Sequence, residues 1–334
     1  MGHVKPAPTL QDVADLVGVN PRTVSRVVNR EGGFSAATRD KVLAAVDELQ
    51  YRPNRAARAL MTQRTDTLGL VGGDLADPFF AELAAMVDRE LTDRGRTMLF
   101  SSRGPDKQTQ QSVLERLQSH AVDGIILFPA PDSVDQVRAL VRTGLRVVLI
   151  DPVDAADDLP VVRSEIDIGA RAAGDYLTRS GRSSIVMLGS IHTAPTNGAG
   201  HRERGFRQSL EQSSLPDDAW TVINTEPTMD GAHRAVRALL VERPDTDAIF
   251  ANNDMMAIGA LHALTELGRT VPGDVALIGY NDLRISSETQ PALTTVRIDR
   301  EAVAHAAVQL LSDTPDNTAA EIAIPTELVI RDSA

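Results

Sequence analysis

Apolar side chains in the first fifty residues recur three and four positions apart. They fall at Leu10, Val13, Ala14 and Val17, then Val24, Val27 and Val28, then Val42, Ala45, Val46 and Leu49. That spacing predicts three short helices, each burying one stripe. The residues between the stripes suit helix ends. Thr9 and Asp12 have the form of a capping box, and Gly18 suits the left-handed position that closes a helix. Asn20 and Pro21 suit the cap and first residue of the second helix, and Ser35 the cap of a third over 36–49. The second helix leaves Arg22, Ser25, Arg26 and Asn29 on one polar stripe. Pro53 stops the third helix. Asn54 can then cap a further helix of about eight residues, too short to persist alone in water.

From Leu68 onward the pattern changes. Short apolar, often β-branched runs at 68–71, 97–100, 124–128, 147–150, 185–188, 248–250 and 275–278 alternate with helical stretches. The latter include 80–94, 108–119, 170–180, 204–212, 231–241 and 255–267. Strands of that kind are buried on both faces of a parallel sheet, and the alternation predicts a doubly wound α/β layout. Two echoes suggest two such halves. V-D-G-I-I-L-F-P, from Val122, recurs as T-D-A-I-F-A-N-N, from Thr246; R-V-V-L-I-D, ending at Asp151, recurs as D-V-A-L-I-G-Y, ending at Tyr280. Paired lobes place a ligand cleft between them, at the carboxyl ends of the strands.

Charge separates the two parts. The net charge is −12, yet the chain up to Arg64 holds ten basic and six acidic side chains, a net +4, leaving −16 for the rest. A basic head on an acidic body fits a nucleic-acid-reading module joined to a domain that avoids nucleic acid. Arginine offers a fork for the O6 and N7 of guanine, while Ser and Asn suit phosphate oxygens. Two helices around a glycine turn, with such a stripe on the second, outline a helix-turn-helix. On the short helix beyond Asn54, Arg55 and Arg58 lie beside Ala57 and Leu60, and an exposed leucine there would suit a wedge in the minor groove.

Other chemistry is excluded or not found. The chain has no cysteine, so disulfides and thiolate chemistry are absent. No apolar run reaches the ~18 residues of a spanning helix and the first residues lack a signal-peptide core, so a cytoplasmic protein with no membrane partner is expected. Neither a Walker loop nor a GxGxxG appears, since G-L-V-G-G-D from Gly69 lacks the spacing, and G-x-S-x-G is missing too. His192 and His201 lack carboxylates at ligand spacing. No metal, no cofactor and no enzyme activity are expected. The loops after the strands offer something else. D-L-A-D-P-F-F, Asp74 to Phe80, presents two aromatic rings, and Asp151, Arg202, Asn253, Asp254 and Asn281 follow strands or open helices. Such a set suits a small polyhydroxylated or polar ligand.

The head closely resembles the LacI/GalR (lactose-repressor) family of bacterial transcription regulators. The matching runs are T-L-Q-D-V-A from Thr9, G-V-N-P-R-T-V-S-R-V-V-N from Gly18, F-S-A-A-T-R-D-K-V from Phe34 and Y-R-P-N-R from Tyr51. Across the body follow D-P-F-F-A-E from Asp77, R-E-R-G-F from Arg202, A-I-F-A-N-N-D from Ala248, V-P-G-D-V from Val271, G-Y-N-D from Gly279 and P-A-L-T-T-V from Pro291. The resemblance implies that Pro21, Arg22 and Arg26 face base edges and that Thr23, Ser25 and Asn29 hold phosphates. It further implies a hinge helix over 54–62, carrying Asn54, Arg55, Ala57, Arg58 and, as the wedge, Leu60. The body then resembles a periplasmic-binding-protein-like core, with Phe79, Phe80, Phe128, Asp151, Arg202, Asn253 and Asn281 lining an effector cleft and Asp74 and Glu226 beside it. Asn281 stands where sugar-binding members usually have Asp, and Glu226 near where several present a stacking ring. A simple hexose is therefore less suited than a different sugar, a nucleoside or a cationic molecule.

The expected organisation is a flexible arm at 1–8, a small all-α helix-turn-helix domain at 9–50, a hinge at 51–64 and a two-lobed effector-binding and dimerisation domain at 65–334. With no leucine heptad before Ala334, a homodimer is expected. The expected function is a transcriptional regulator, a repressor in kind, binding a pseudo-palindromic double-stranded DNA operator under control of a sugar-like or nucleoside-like effector. The alternatives are an activator or global regulator working with a protein partner and, from other classes, a solute-binding protein or a sugar- or nucleoside-processing enzyme fused to a DNA-binding head.

Overall fold

The computed structural model describes residues 8–29, 31–52, 59, 62, 64–104, 106–192, 197–313 and 317–334. The chain divides into two compact units, 1–65 and 66–334. All but Pro8 of the expected arm at 1–8, and the hinge residues Asn54, Arg55, Ala57, Arg58 and Leu60, lie outside the described residues.

In the first unit, α1 (Leu10–Val17), α2 (Pro21–Val28) and α3 (Ala36–Glu48) enclose a small core. Val13, Ala14, Val24, Val27, Val42, Ala45 and Tyr51 are buried there, with Leu10, Val17, Phe34 and Leu49 packed around them. The predicted caps form. The Thr9 hydroxyl accepts from the Asp12 amide at 3.3 Å while the Thr9 amide donates to the Asp12 carboxylate at 2.7 Å. Gly18 adopts φ 73° and its amide closes onto the Ala14 carbonyl at 2.9 Å. That backbone conformation favours glycine, because a Cβ there crowds the carbonyl. The Asn20 side chain accepts from the Arg22 amide at 2.8 Å, and Ser35 accepts from Thr38 at 3.1 Å.

The second unit holds two six-stranded sheets. One contains β1 (Thr67–Gly72), β2 (Thr97–Ser102), β3 (Gly124–Leu127), β4 (Arg146–Ile150), β5 (Pro160–Ser164) and β11 (Ala320–Ile324), in the order β11-β5-β4-β3-β1-β2. The other contains β6 (Ile185–Ser190), β7 (Trp220–Thr225), β8 (Ala248–Ala251), β9 (Ala276–Asn281), β10 (Thr294–Ile298) and β12 (Thr326–Val329), in the order β12-β10-β9-β8-β6-β7. Every pairing is parallel except β12 on β10. The first five strands of each sheet follow the same order, shifted by five along the chain, so the sequence echoes reflect two repeats of one topology, and β11 and β12 add one strand to each.

Period-two burial explains why these runs are strands. In the first sheet Leu68, Leu70, Ile126, Val148 and Ile150 point into one core, whereas Val71, Ile125, Leu127, Val147 and Leu149 point into the other. Covering both faces removes each such side chain from water, worth roughly 1.5–3 kcal/mol apiece. The covering helices of the first lobe are α4 (Pro78–Asp93), α5 (Lys107–Ser119), α6 (Val134–Val141) and α11 (Arg300–Asp313). The second lobe carries α7 (Ile166–Arg179), α8 (Gly198–Glu211), α9 (Met229–Glu242) and α10 (Asp254–Glu266).

The chain passes between lobes three times, at Glu165, Asp299 and Pro325. Two of these crossings are tied together: the Glu165 amide donates to the Ile324 carbonyl at 2.9 Å, and the Thr326 hydroxyl donates to the Glu165 carbonyl at 2.7 Å. Among the described residues no helix is long and apolar enough to cross a membrane.

Candidate functional site

The polar face of α2 is the first candidate. Arg22 and Asn29 are exposed, and Pro21, Thr23, Ser25 and Arg26 half-exposed, because Val24 and Val27 turn the opposite side into the core. Arg22 makes no ion pair among the described residues. Arg26 is engaged: its guanidinium donates to the Gly32 carbonyl and lies 3.9 Å from Glu31. Reaching a base edge requires it to leave that loop. The Asn29 side-chain Nδ2 donates to the Ser25 hydroxyl at 3.4 Å.

The second candidate is a cavity of about 210 Å³ where carboxyl ends of strands from both sheets meet. Its size is below the roughly 300–1,000 Å³ of drug-sized ligand sites, so the ligand it suits is small. Three rings form its apolar wall. Phe79, Phe80 and Phe128 pack edge to face, with centroids 5.3 to 6.4 Å apart. Two glycines make room for one of them: a Cβ on Gly73 would lie 2.3 Å from the Phe80 ring and one on Gly72 3.0 Å from it. The Gly-Gly pair at the end of β1 thus seats an aromatic ring.

Arg202, on α8, organises the polar wall. Its guanidinium donates to the Asn252 carbonyl at 2.8 Å and to the Asn281 side-chain oxygen at 3.1 Å, and stacks 4.2 Å above the Tyr280 ring. Tyr280 is fully buried beneath it and donates its hydroxyl to the Ile166 carbonyl at 2.8 Å. Asp151 directly follows β4 in a left-handed conformation, φ 44°, and accepts from the Ser164 amide at 2.6 Å and hydroxyl at 3.1 Å. Burial pushes its carboxyl up to about 6, against the pull of the Ser164 hydrogen bonds, Arg163 and Arg202.

Asn281 ends β9 at φ 112°, a strained backbone for a side-chain-bearing residue. Strain of that kind costs about 1–3 kcal/mol and persists where neighbours over-determine it. Here the Arg300 guanidinium donates to the carbonyls of both Asn281 and Asp282, while Arg297 and Arg331 each reach the Asp282 carboxylate at 2.7 Å. Asp254 supports the same turn from below. It is fully buried and accepts from the Thr295 hydroxyl at 2.5 Å and the Leu283 amide at 2.7 Å, and burial pushes it up to about 6.

The cavity gathers Phe79, Phe80, Phe128, Asp151, Arg202, Asn253 and Asn281 from the sequence-derived set. Asp74 and Glu226 do not line it. Asp74 is exposed and turns its carboxylate onto the Ala76 amide at 2.9 Å, and Glu226 is exposed beside the start of α9. Added to the wall are Asp77, Arg103, Val153, Ile166, Asn197 and Ile298. Asp77 caps α4, accepting from the Phe79 amide at 3.0 Å, and the Asp-Pro pair opening that helix is the signal that could have found it. Arg103 follows β2 with no surrounding motif, and only the folded chain reveals it.

The histidines that converge among the described residues are not His192 and His201. His233 and His262 stack 4.9 Å apart and share Glu266, at 2.9 and 3.4 Å. Arg237 occupies the same carboxylate at 2.7 Å, which makes the group an ion-pair staple between α9 and α10.

A family model described as "Bacterial regulatory proteins, lacI family" matches residues 9–54, and one described as "Periplasmic binding protein-like domain" matches 175–334. The HTH-type transcriptional regulator GalR of Salmonella typhimurium is 33% identical over 302 residues, covering 90% of this chain and 88% of GalR. Among solved structures, a transcriptional regulator CelR–cellobiose complex is 31% identical with a TM-score of 0.71, covering 98% of this chain and 100% of CelR. A lac repressor dimer bound to operator and the anti-inducer ONPF is 26% identical with a TM-score of 0.82, covering 98% of each chain.

Proposed function

This chain belongs to the lacI family of bacterial regulatory proteins and is a DNA-binding transcriptional regulator, and from that premise we propose that it is a repressor whose hold on its operator is set by a small molecule in the interlobe cavity. The observation that carries the reading is the cavity itself. Its polar and aromatic walls come from both lobes, so a ligand bound there has different contacts in open and closed arrangements of the lobes. Such differential binding is what a ligand needs to shift an equilibrium between two states.

The chain acts as a homodimer in the cytoplasm, as a regulator rather than an enzyme. Two α2 helices related by a two-fold axis read half-sites of a pseudo-palindrome, about 34 Å apart or a multiple of that. Pro21, Arg22 and Arg26 contact bases, and Thr23, Ser25 and Asn29 contact phosphates. Asn54, Arg55, Ala57, Arg58 and Leu60 form the minor-groove hinge, whose ordering the effector controls. The solved relatives named for cellobiose and for the operator-bound lac repressor support a sugar-like effector and dimeric operator binding.

The reading is tested by selecting bound sequences from a random DNA pool with the full chain. A two-fold-related pair of half-sites is expected. Enrichment of a single asymmetric site, or of none, would remove the dimeric-operator reading.

A further inference from the structure

Arg103 sits on the cavity wall, directly after β2, with its amide fixed to the Gly72 carbonyl at 2.7 Å. Its guanidinium has one weak partner, the Gly104 carbonyl at 3.4 Å, and its Nε is buried with no hydrogen-bond partner. Among the described residues it makes no ion pair. Burial alone lowers its pKa, with no carboxylate to offset the loss of water. A half-buried cation without a counter-ion carries a desolvation cost that an anionic ligand would offset.

The cavity's other guanidinium, Arg202, is held by the neutral Asn252 and Asn281 oxygens and stacks on Tyr280, although its Nε too has no hydrogen-bond partner. Arg202 acts on both Asp77 and Asp151, and both Asp151 oxygens accept from Ser164. Asn281 is neutral and is held by Arg202. The caps of α8 and α10, Asn197 and Asn253, also line the cavity, so two helix amino termini lend it positive potential. One end of the site therefore lacks an anion, and the other is rich in acceptors suited to hydroxyl groups.

We propose that the effector is a polyhydroxylated anion, a sugar acid or a sugar phosphate, whose charged group binds Arg103 while its hydroxyls face Asp151, Arg202, Asn253 and Asn281. This rests on the reading of the cavity as the effector site. Arginine's fork matches either carboxylate or phosphate oxygens in a bidentate pair. A cationic ligand, which the neutral Asn281 left open, meets an unpaired guanidinium and is disfavoured.

The test uses calorimetric titration of the full chain with aldonates, uronates and hexose and pentose phosphates, each beside its neutral parent sugar, and with nucleosides. An acid should bind tightly while its parent does not, and the carboxylate and phosphate arms tell the two sources apart. Arg103→Met should weaken the acid by roughly 30-fold or more, with Arg103→Lys recovering part of the loss. Should Arg103→Met fail to fold, the wild-type salt dependence reads the same charge, rising Kd for the acid and a flat Kd for the neutral sugar. A parent sugar or nucleoside binding as tightly as the acids overturns the proposal and leaves the effector cavity standing. So does an acid whose affinity ignores Arg103→Met. If no compound binds, charged or neutral, the reading of the cavity falls with it.

Discussion

Adding one methyl group at Gly205 should pry α8, and Arg202 with it, away from α7. A Cβ there would lie 2.1 Å from the Asp167 carbonyl oxygen and 2.8 Å from its carbonyl carbon and Cα. The obstacle is backbone in the first turn of α7, so no side chain can rotate out of the way and the helices must separate. Overpacking costs about 1–3 kcal/mol, and a backbone collision belongs at the upper end. Exchanging glycine for alanine in a helix returns up to ~1 kcal/mol, leaving a net loss of about 2 kcal/mol. Gly198 on the same helix is the control, because its Cβ would meet only Ile166 at 3.6 Å, an ordinary contact. The assay is built in. Trp220 is the one tryptophan in the sequence, and Arg207 of α8 lies 5.2 Å over its ring. Urea unfolding followed by its fluorescence should show the Gly205→Ala midpoint falling by roughly 1 M, at a slope of about 2 kcal/mol per molar. Gly198→Ala should stay within about 0.5 kcal/mol of wild type. An unshifted Gly205→Ala midpoint, or an equal fall for Gly198→Ala, would refute the close-approach argument.

Buried Asp254, pushed up to about 6 against about 3.9 in an unfolded chain, binds its proton more tightly when folded. Its contribution to stability is therefore full below pH ~4 and lost as pH rises through about 6, on the order of 3 kcal/mol in all. Asp254→Asn should remove that slope; parallel wild-type and variant midpoints from pH 4.5 to 7 by Trp220 fluorescence would contradict it. Arg22→Ala should lower operator affinity by about 1–3 kcal/mol and relax the preference at one base position, read by fluorescence anisotropy over single-base operator variants. Leu60→Ala should weaken specific binding and leave the salt-dependent nonspecific binding nearly intact. Equal loss of both would remove the wedge.

The head was legible because its information is local. Thr9, Gly18, Asn20, Pro21 and Ser35 each act within a few residues of themselves, so caps and stripes could be read without knowing what packs where. The central strands were legible for a related reason: β3, β4, β6, β8 and β9 are buried on both faces and show as unbroken apolar runs. Apart from β2, whose M-L-F was legible, the edge strands left no such run. β11 alternates half-buried and exposed positions over A-E-I-A before the buried Ile324, β12 sets exposed Glu327 among half-buried neighbours, and β7, W-T-V-I-N-T, carries polar groups on an outer edge. β10 buries Thr294 and Thr295, which satisfy their hydroxyls on Asp254 and on the chain near Arg331, partners distant in sequence. The cavity divides in the same way. Aromatics and polar groups at strand ends could be placed by their position after an apolar run. Arg103 could not, since its burial and its missing counter-ion are properties of the assembled lobes. Nor could the loop contact of Arg26, which depends on Gly32 and Gly33 folding back over its guanidinium.

The central claim is that occupancy of the cavity and occupancy of the operator are coupled. The most direct measurement is anisotropy titration of the selected operator with the full chain, without and with the acid or sugar that binds the cavity at saturation, for wild type and Arg202→Ala. The account predicts a shift of 5- to 150-fold or so in wild-type operator affinity, mirrored by an equal shift in ligand affinity when operator is bound. Arg202→Ala should bind operator normally and show no shift. Wild-type operator affinity that stays the same at saturating ligand would contradict the account, whatever the cavity binds.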